Sequence, residues 1–177
     1  QPRIADIDSM PSPYLNGLMD KFVDKWKDKY VFTATVESVR GCPYRCTYCE
    51  IGDLYFQKIK PQSYQKIQKE FMWMAENKVE YIDNADSNFG LYFERDYKIA
   101  ELLVKLKEKY GFPMVFRNDW AKDRGIKLIP IAQKLKELGV EESLINLKGM
   151  TQGMLVILGQ KNIKKLDDFA DLSSDEL

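Results

Sequence analysis

Strand, polar loop and helix recur about four times along this 177-residue chain, and that alternation limits the fold more than any other feature. VFTATVESV at 31–39 is β-branched, alternates two faces and reads as a strand. A cysteine-bearing loop, 40–53, follows at once. Residues 63–77 carry Ile67, Phe71 and Met74 at helical spacing behind Ser63, a suitable N-cap. VEYID at 79–83 is a second strand, ending in the loop NADSNFG at 84–90. A helix over 95–110, with Ile99, Leu102, Leu103 and Leu106 inward, stops at Gly111 and Pro113. Residues 114–117 form a third strand leading into NDWAKDRG, and 129–138 a further helix. SLINL at 143–147 reads as a weaker fourth strand, and 151–158 and 166–177 as short helices; 11–22 holds a short amphipathic helical turn. This order favours parallel strands joined by right-handed helical crossovers. Ligands of such sheets sit beyond the carboxyl ends of the strands. The cysteine loop, NADSNFG and RNDWAKDRG all leave such ends, so they should meet at one rim.

Composition narrows the chemistry. There is no histidine, which removes Ser-His-Asp and Cys-His sites, His-ligated zinc and the commonest general base. The three cysteines all fall between positions 42 and 49. An odd, crowded set is a poor disulfide framework and suits a metal site in a reducing compartment. Equal numbers of basic and acidic residues argue against a general grip on nucleic acid or an anionic membrane. No apolar run approaches a bilayer-spanning length and residues 1–10 hold no signal core, so a cytoplasmic protein is expected.

Cys42, Cys46 and Cys49 stand as CxxxCxxC. Thiolates suit iron–sulfur clusters, zinc or Cu(I). A closed structural site wants four ligands, and no histidine can complete the set. Three thiolates on a cubane leave one iron open to a substrate. Zinc with a carboxylate such as Glu50 or Asp53, and three buried cysteines with no ligand, are the alternatives. The cluster reading requires the three sulfurs to converge.

GCPYRCTYC resembles the radical SAM signature CxxxCxΦC, with Tyr48 at the aromatic position. The resemblance implies a [4Fe–4S] cluster on Cys42, Cys46 and Cys49, with S-adenosylmethionine bound by the open iron and cleaved reductively. It implies an α/β fold, here a truncated, partial (β/α) barrel with parallel strands plus a short helical C-terminal segment. SPYLNGLMDKF at 12–22, TVESVRGCPYRCTYC, NADSNFG and FPMVFRNDWAK extend the likeness, over roughly 11–135, to radical SAM proteins with an upstream cobalamin-binding domain, absent from these residues. By position, Asp86 or Asn88 would meet the methionine amine, though Asp, Asn and Gly also favour turns for backbone reasons. Tyr48 would pack beside adenine, or simply within the loop. Arg117, with Asn118 and Asp119, would reach the methionine carboxylate or ribose, or serve as surface polar groups. Arg40 and Arg45 flank the site and would tune its potential, or stay solvated. A small-molecule substrate and an electron donor such as flavodoxin or ferredoxin are implied; membrane and nucleic acid are not.

The expected organisation is an N-terminal linker and helix at 1–30, a core at 31–140 and a C-terminal strand and helical hairpin at 141–177. The last segment also resembles the acidic helical repeats of the bacterial transcription factor NusA, through Gly149, Gly159 and Asp167, which raises a chimeric or constructed chain as an expectation. The rival reading is a non-catalytic iron–sulfur or zinc module with a helical interaction tail.

Overall fold

The computed structural model describes residues 4, 6–44, 46–49 and 59–138. The chain divides into two compact units, 1–139 and 140–177, and all described residues lie in the first. The readings at 143–147, 151–158 and 166–177, and Arg45, Glu50 and Asp53, lie outside the described residues.

Phe32–Val36 (β1), Val79–Asn84 (β4) and Val115–Arg117 (β5) form a parallel sheet in the order β1-β4-β5. Val36 is level with Asn84, and Asp83 with Arg117, so the three carboxyl ends finish together. β1 is shorter than the expected 31–39. Val39–Arg40 (β2) leaves the sheet and pairs antiparallel with Lys60–Pro61 (β3), at the two ends of the cysteine segment. Tyr14 clasps β1: its hydroxyl donates to the Thr35 carbonyl at 2.7 Å and accepts from the Thr35 N–H at 3.1 Å.

Among the described residues, four α-helices accompany the sheet: Asp20–Trp26 (α1), Tyr64–Glu76 (α2), Phe93–Tyr110 (α3) and Ile129–Lys136 (α4). The helical turn expected within 11–22 thus lies later in the chain, in α1. Ser63 caps α2, its hydroxyl accepting from the Lys66 N–H at 3.2 Å. α2 packs on β4 and α3, and α3 on α4. The buried faces are those the helical spacing marks: Ile67, Phe71 and Met74 on α2, and Ile99, Leu102, Leu103 and Leu106 on α3. Each such side chain contributes about 2 kcal/mol by leaving water. Phe71 meets Phe116 of β5, which meets Phe89 beyond β4, which meets Trp120 beyond β5, all edge-on or tilted with centroids 5.4–6.1 Å apart. The apolar core therefore runs up to the carboxyl rim.

No helix among the described residues is long and apolar enough to cross a membrane. Leu103 is fully buried on α3 while Lys105 is exposed on the same helix. Leu103→Ala should cost about 3 kcal/mol, and Lys105→Ala should stay within about 0.5 kcal/mol of wild type; urea-denaturation midpoints check both.

Candidate metal and cofactor site at the carboxyl rim

The three loops that the alternation directs to one edge do meet there. Ala85 N–H donates to the Val36 carbonyl at 2.7 Å, joining the ends of β1 and β4. Phe89 N–H donates to the Asp119 carbonyl at 2.7 Å and Ala121 N–H to the Phe89 carbonyl at 2.8 Å, stitching the loop after β4 to the loop after β5. Gly90 permits this stitch: its φ is +88°, and a Cβ would fall 2.3 Å from Leu128 Cδ2.

Asp86 fastens the cysteine loop to this assembly. It is 1% exposed, and its carboxylate accepts from Ser38 N–H at 2.6 Å, Val39 N–H at 2.7 Å and the Ser38 hydroxyl. Burial pushes its pKa up, against the pull of those donors toward the ionised form. Arg95 holds the other side of Ser38, donating to its carbonyl at 2.6 Å and to the Gln62 carbonyl at 3.2 Å. Arg95 also pairs with Asp96 at 2.7 Å. Asp96, fully buried, accepts from the Gly90 and Tyr92 N–H groups at the start of α3, where the helix dipole favours an anion. Desolvation nonetheless raises its pKa to about 6.

The cysteine loop rises from this base. Gly41, at φ +101°, turns the chain so that Cys42 faces inward and is buried. Cys42 Sγ accepts from Asn88 Nδ2 at 3.2 Å. Cys46 is half-buried, with Lys122 Nζ at 3.6 Å from its sulfur. Cys49 N–H donates to the Cys46 carbonyl at 3.0 Å, closing a turn between the two. Tyr44 reaches across to hydrogen-bond Asp123, and burial, then that bond, pushes its phenol up to about 12. All three thiols are free.

The sulfurs do not converge as the cluster reading requires: among the described residues, no three His, Cys, Asp or Glu side chains stand close enough together to hold a metal. The physical reason lies in their partners. Cys42 turns inward to Asn88, while Cys46 faces Lys122 at the surface. What the described residues share with an iron–sulfur site is donor type alone: three soft sulfurs on one loop, free of disulfides, two of them with an N–H donor nearby.

The other expected residues fall out unevenly. Asp86 turns inward to Ser38 and Val39. Asn88 is 4% exposed and stands on Cys42, with its Oδ1 unpartnered. Arg117 forms a fork with Asp83 of the adjacent strand, Nε–Oδ1 2.6 Å and Nη2–Oδ2 3.0 Å. Arg40 pairs with Glu37. Tyr48 is 81% exposed. The sequence reading missed Asn84, which ends β4, and Lys122; it weighed Asn118, with Arg117 and Asp119, as a contact to the methionine carboxylate or ribose or as a surface polar group. Asn84 is 7% exposed, and its Oδ1 and both polar atoms of Asn118 find no partner within the described residues. Together with Asn88 they set buried, unmet carboxamide groups just beyond β4 and β5. A strand-terminal asparagine is the sequence signal for two of the three.

A parallel sheet with a cysteine loop beyond its first strand accords with the radical SAM resemblance, and sequence comparison bears that resemblance out: the chain is a relative of cobalamin-dependent radical SAM methyltransferases. It is 30% identical over 173 residues to the cobalamin-dependent radical SAM methyltransferase TokK of Streptomyces tokunonensis, covering 97% of this chain and 25% of that protein. It is 34% identical over 124 residues to the 2-(S-pantetheinyl)-carbapenam-3-carboxylate methyltransferase of Streptantibioticus cattleyicolor, covering 70% of this chain and 18% of that one. The chain thus spans a quarter or less of the curated relatives it matches. The first match includes most of the C-terminal segment read above as NusA-like. Among solved structures, the radical S-adenosylmethionine methyltransferase TsrM from Kitasatospora setae, with tryptophan and a SAM analogue bound, superposes on 60% of this chain and 20% of its own at TM-score 0.43 and 15% identity. No family model matches.

Two outcomes test the base of the site. Asp86→Ala strands three buried donors and should cost about 2–4 kcal/mol by urea denaturation; Asp86→Asn should recover part of this, because its amide oxygen still accepts. Asp96 binds its proton more tightly folded than unfolded, so its contribution to stability falls as pH rises from about 4 to about 6 and is level above. The drop is of the order of 3 kcal/mol for a two-unit shift. The difference in denaturation midpoint between wild type and Asp96→Asn, followed from pH 4 to 7.5, should decline through that window and then flatten.

Proposed function

We propose that this chain carries the cluster- and S-adenosylmethionine-binding part of a radical SAM enzyme. Cys42, Cys46 and Cys49 would hold a [4Fe–4S] cluster with one iron left for S-adenosylmethionine. The carrying observation is that loops from two neighbouring strands direct N–H donors at two of these sulfurs, Asn88 at Cys42 and Lys122 at Cys46. Such donors are what thiolate ligands ask of their surroundings. When bound, the cluster supplies the electron that splits the sulfonium of S-adenosylmethionine.

The chain's own residues would bind, orient and exclude water. Asn84 Oδ1, Asn88 Oδ1 and the Asn118 carboxamide offer acceptors and donors, already desolvated, to the polar ends of S-adenosylmethionine. A ligand that pairs with them recovers the cost of burying them unmet. Phe89 and Trp120 form the apolar floor that keeps water from below the site. Asp86 and Arg95 fix the start of the cysteine loop through Ser38. Methyl transfer with cobalamin is the activity in the name of one relative. We extend it to this chain as the reaction class, with an electron donor of the flavodoxin or ferredoxin kind and a small-molecule substrate.

Anaerobic reconstitution of the whole chain with iron and sulfide is the test. The expected product is brown, gives a reduced-state EPR spectrum that changes when S-adenosylmethionine is added, and forms 5′-deoxyadenosine under reductant. Cys42→Ala, Cys46→Ala and Cys49→Ala should each abolish all three signals. A colourless chain that binds zinc and ignores S-adenosylmethionine would sink the proposal and leave a metal-binding module.

A further inference from the structure

We infer that Cys46 and Cys49 close a disulfide when the metal-free chain meets a small-molecule disulfide, and that the fold keeps Cys42 out of the bond; this does not rest on the function proposed above. Three cysteines cannot all pair, but a disulfide needs only two sulfurs. The geometry separates the three into a pair and a spare. Cys49 N–H donates to the Cys46 carbonyl at 3.0 Å, closing a turn with Thr47 and Tyr48 at its tip. A turn closed in this way keeps its end Cα atoms within about 7 Å. A disulfide joins Cα atoms roughly 4.4–6.8 Å apart. The pair therefore starts at bonding range with its backbone already turned. Both cysteines are half-buried, and Thr47 and Tyr48 between them are exposed, so an oxidant reaches them from solvent.

Cys42 differs on each count. It is 6% exposed, and Asn88 Nδ2 stands 3.2 Å from its sulfur. Gly41, at φ +101°, turns it toward the core, and Asp86 fixes the residues just before it through Ser38 and Val39. Bonding Cys42 to either partner would mean pulling it out of this packing. The chemistry is thiol–disulfide exchange in two steps. One thiol of the pair attacks glutathione disulfide, forms a mixed disulfide and releases one glutathione thiol. The second thiol attacks the protein sulfur of that mixed disulfide, closes the Cys46–Cys49 bond and releases the second glutathione. The cysteine pair gives up two electrons, glutathione disulfide takes them, and the two cysteine protons leave on the two glutathione thiols.

The experiment uses the full 177-residue chain, stripped of metal with a chelator, reduced, and incubated with glutathione disulfide. Remaining thiols are alkylated, and the chain is digested without reduction and weighed by mass spectrometry. Trypsin cuts after Arg40, Arg45 and Lys58, so Cys42 falls in peptide 41–45 while Cys46 and Cys49 share peptide 46–58. The expected result is peptide 46–58 lighter by two hydrogens and peptide 41–45 alkylated, with two of the three thiols lost. Cys49→Ala should stop with glutathione on Cys46 and a free thiol at Cys42. In urea, where the packing of Cys42 is gone, peptides 41–45 and 46–58 should appear linked. Linked peptides from the folded chain, a Cys42–Cys46 bond in folded Cys49→Ala, or retention of all three thiols overturns the inference. Unchanged selectivity in urea also overturns it, by assigning the choice to spacing along the chain. Each of these outcomes leaves the proposed function standing, since that is read from the metal-loaded chain.

Discussion

One buried carboxylate decides whether the polar edge of this sheet is a site or three unrelated loops. Parallel pairing brings the carboxyl ends of β1, β4 and β5 level, but it does not fix the chain beyond them. Asp86 does so by accepting two backbone N–H groups and a hydroxyl from the residues that lead into the cysteines. The arrangement works because Arg95 takes the carbonyl of the same serine, so Ser38 is held through its N–H, its hydroxyl and its carbonyl. The cost is visible in the raised pKa values of Asp86 and Asp96, both pushed up first by desolvation.

Above that base the balance changes. The core delivers aromatic rings up to the rim through Phe71, Phe116, Phe89 and Trp120, and then stops at unmet carboxamides. Each unpartnered buried amide group costs on the order of 1–3 kcal/mol. Native chains keep few such groups, and keep them where something other than folding requires them. Their position beyond the strand ends is also where ligands of parallel sheets bind. The aromatic rings and the carboxamide groups unpartnered among the described residues therefore lie side by side at the strand ends.

The elements were readable from the sequence because each is set by local pattern. Ile67, Phe71 and Met74, then Ile99, Leu102, Leu103 and Leu106, mark the buried helix faces by spacing alone, and β-branched runs mark the strands. The meeting of three loops at one rim followed from alternation. What could not be read were pairings that span the chain. Asp86 and Asn88 are polar loop residues two positions apart in sequence, yet one braces the fold and the other faces a sulfur. Arg117, read as a ligand contact or a surface polar group, is paired with Asp83 of the neighbouring strand, a partner that spacing along the chain does not reveal. Lys122 and Cys46 are 76 positions apart, and the register of both β1 and β5 against β4 brings their loops together.

The overall neutrality of the chain conceals a local choice at this edge. Arg40 is matched by Glu37, Arg95 by Asp96, Arg117 by Asp83 and Arg124 by Asp123. Planar guanidinium groups suit carboxylates, which they meet with two parallel N–H bonds where the geometry allows. The cation aimed at a cysteine is instead a lysine, a compact charge on a flexible stem that can follow a sulfur without demanding a bidentate partner. In a chain with no histidine, that ammonium and the buried Asn88 amide are what meet the sulfurs of Cys46 and Cys42. Among the described residues, pairing these four arginines with carboxylates keeps the edge from being uniformly positive.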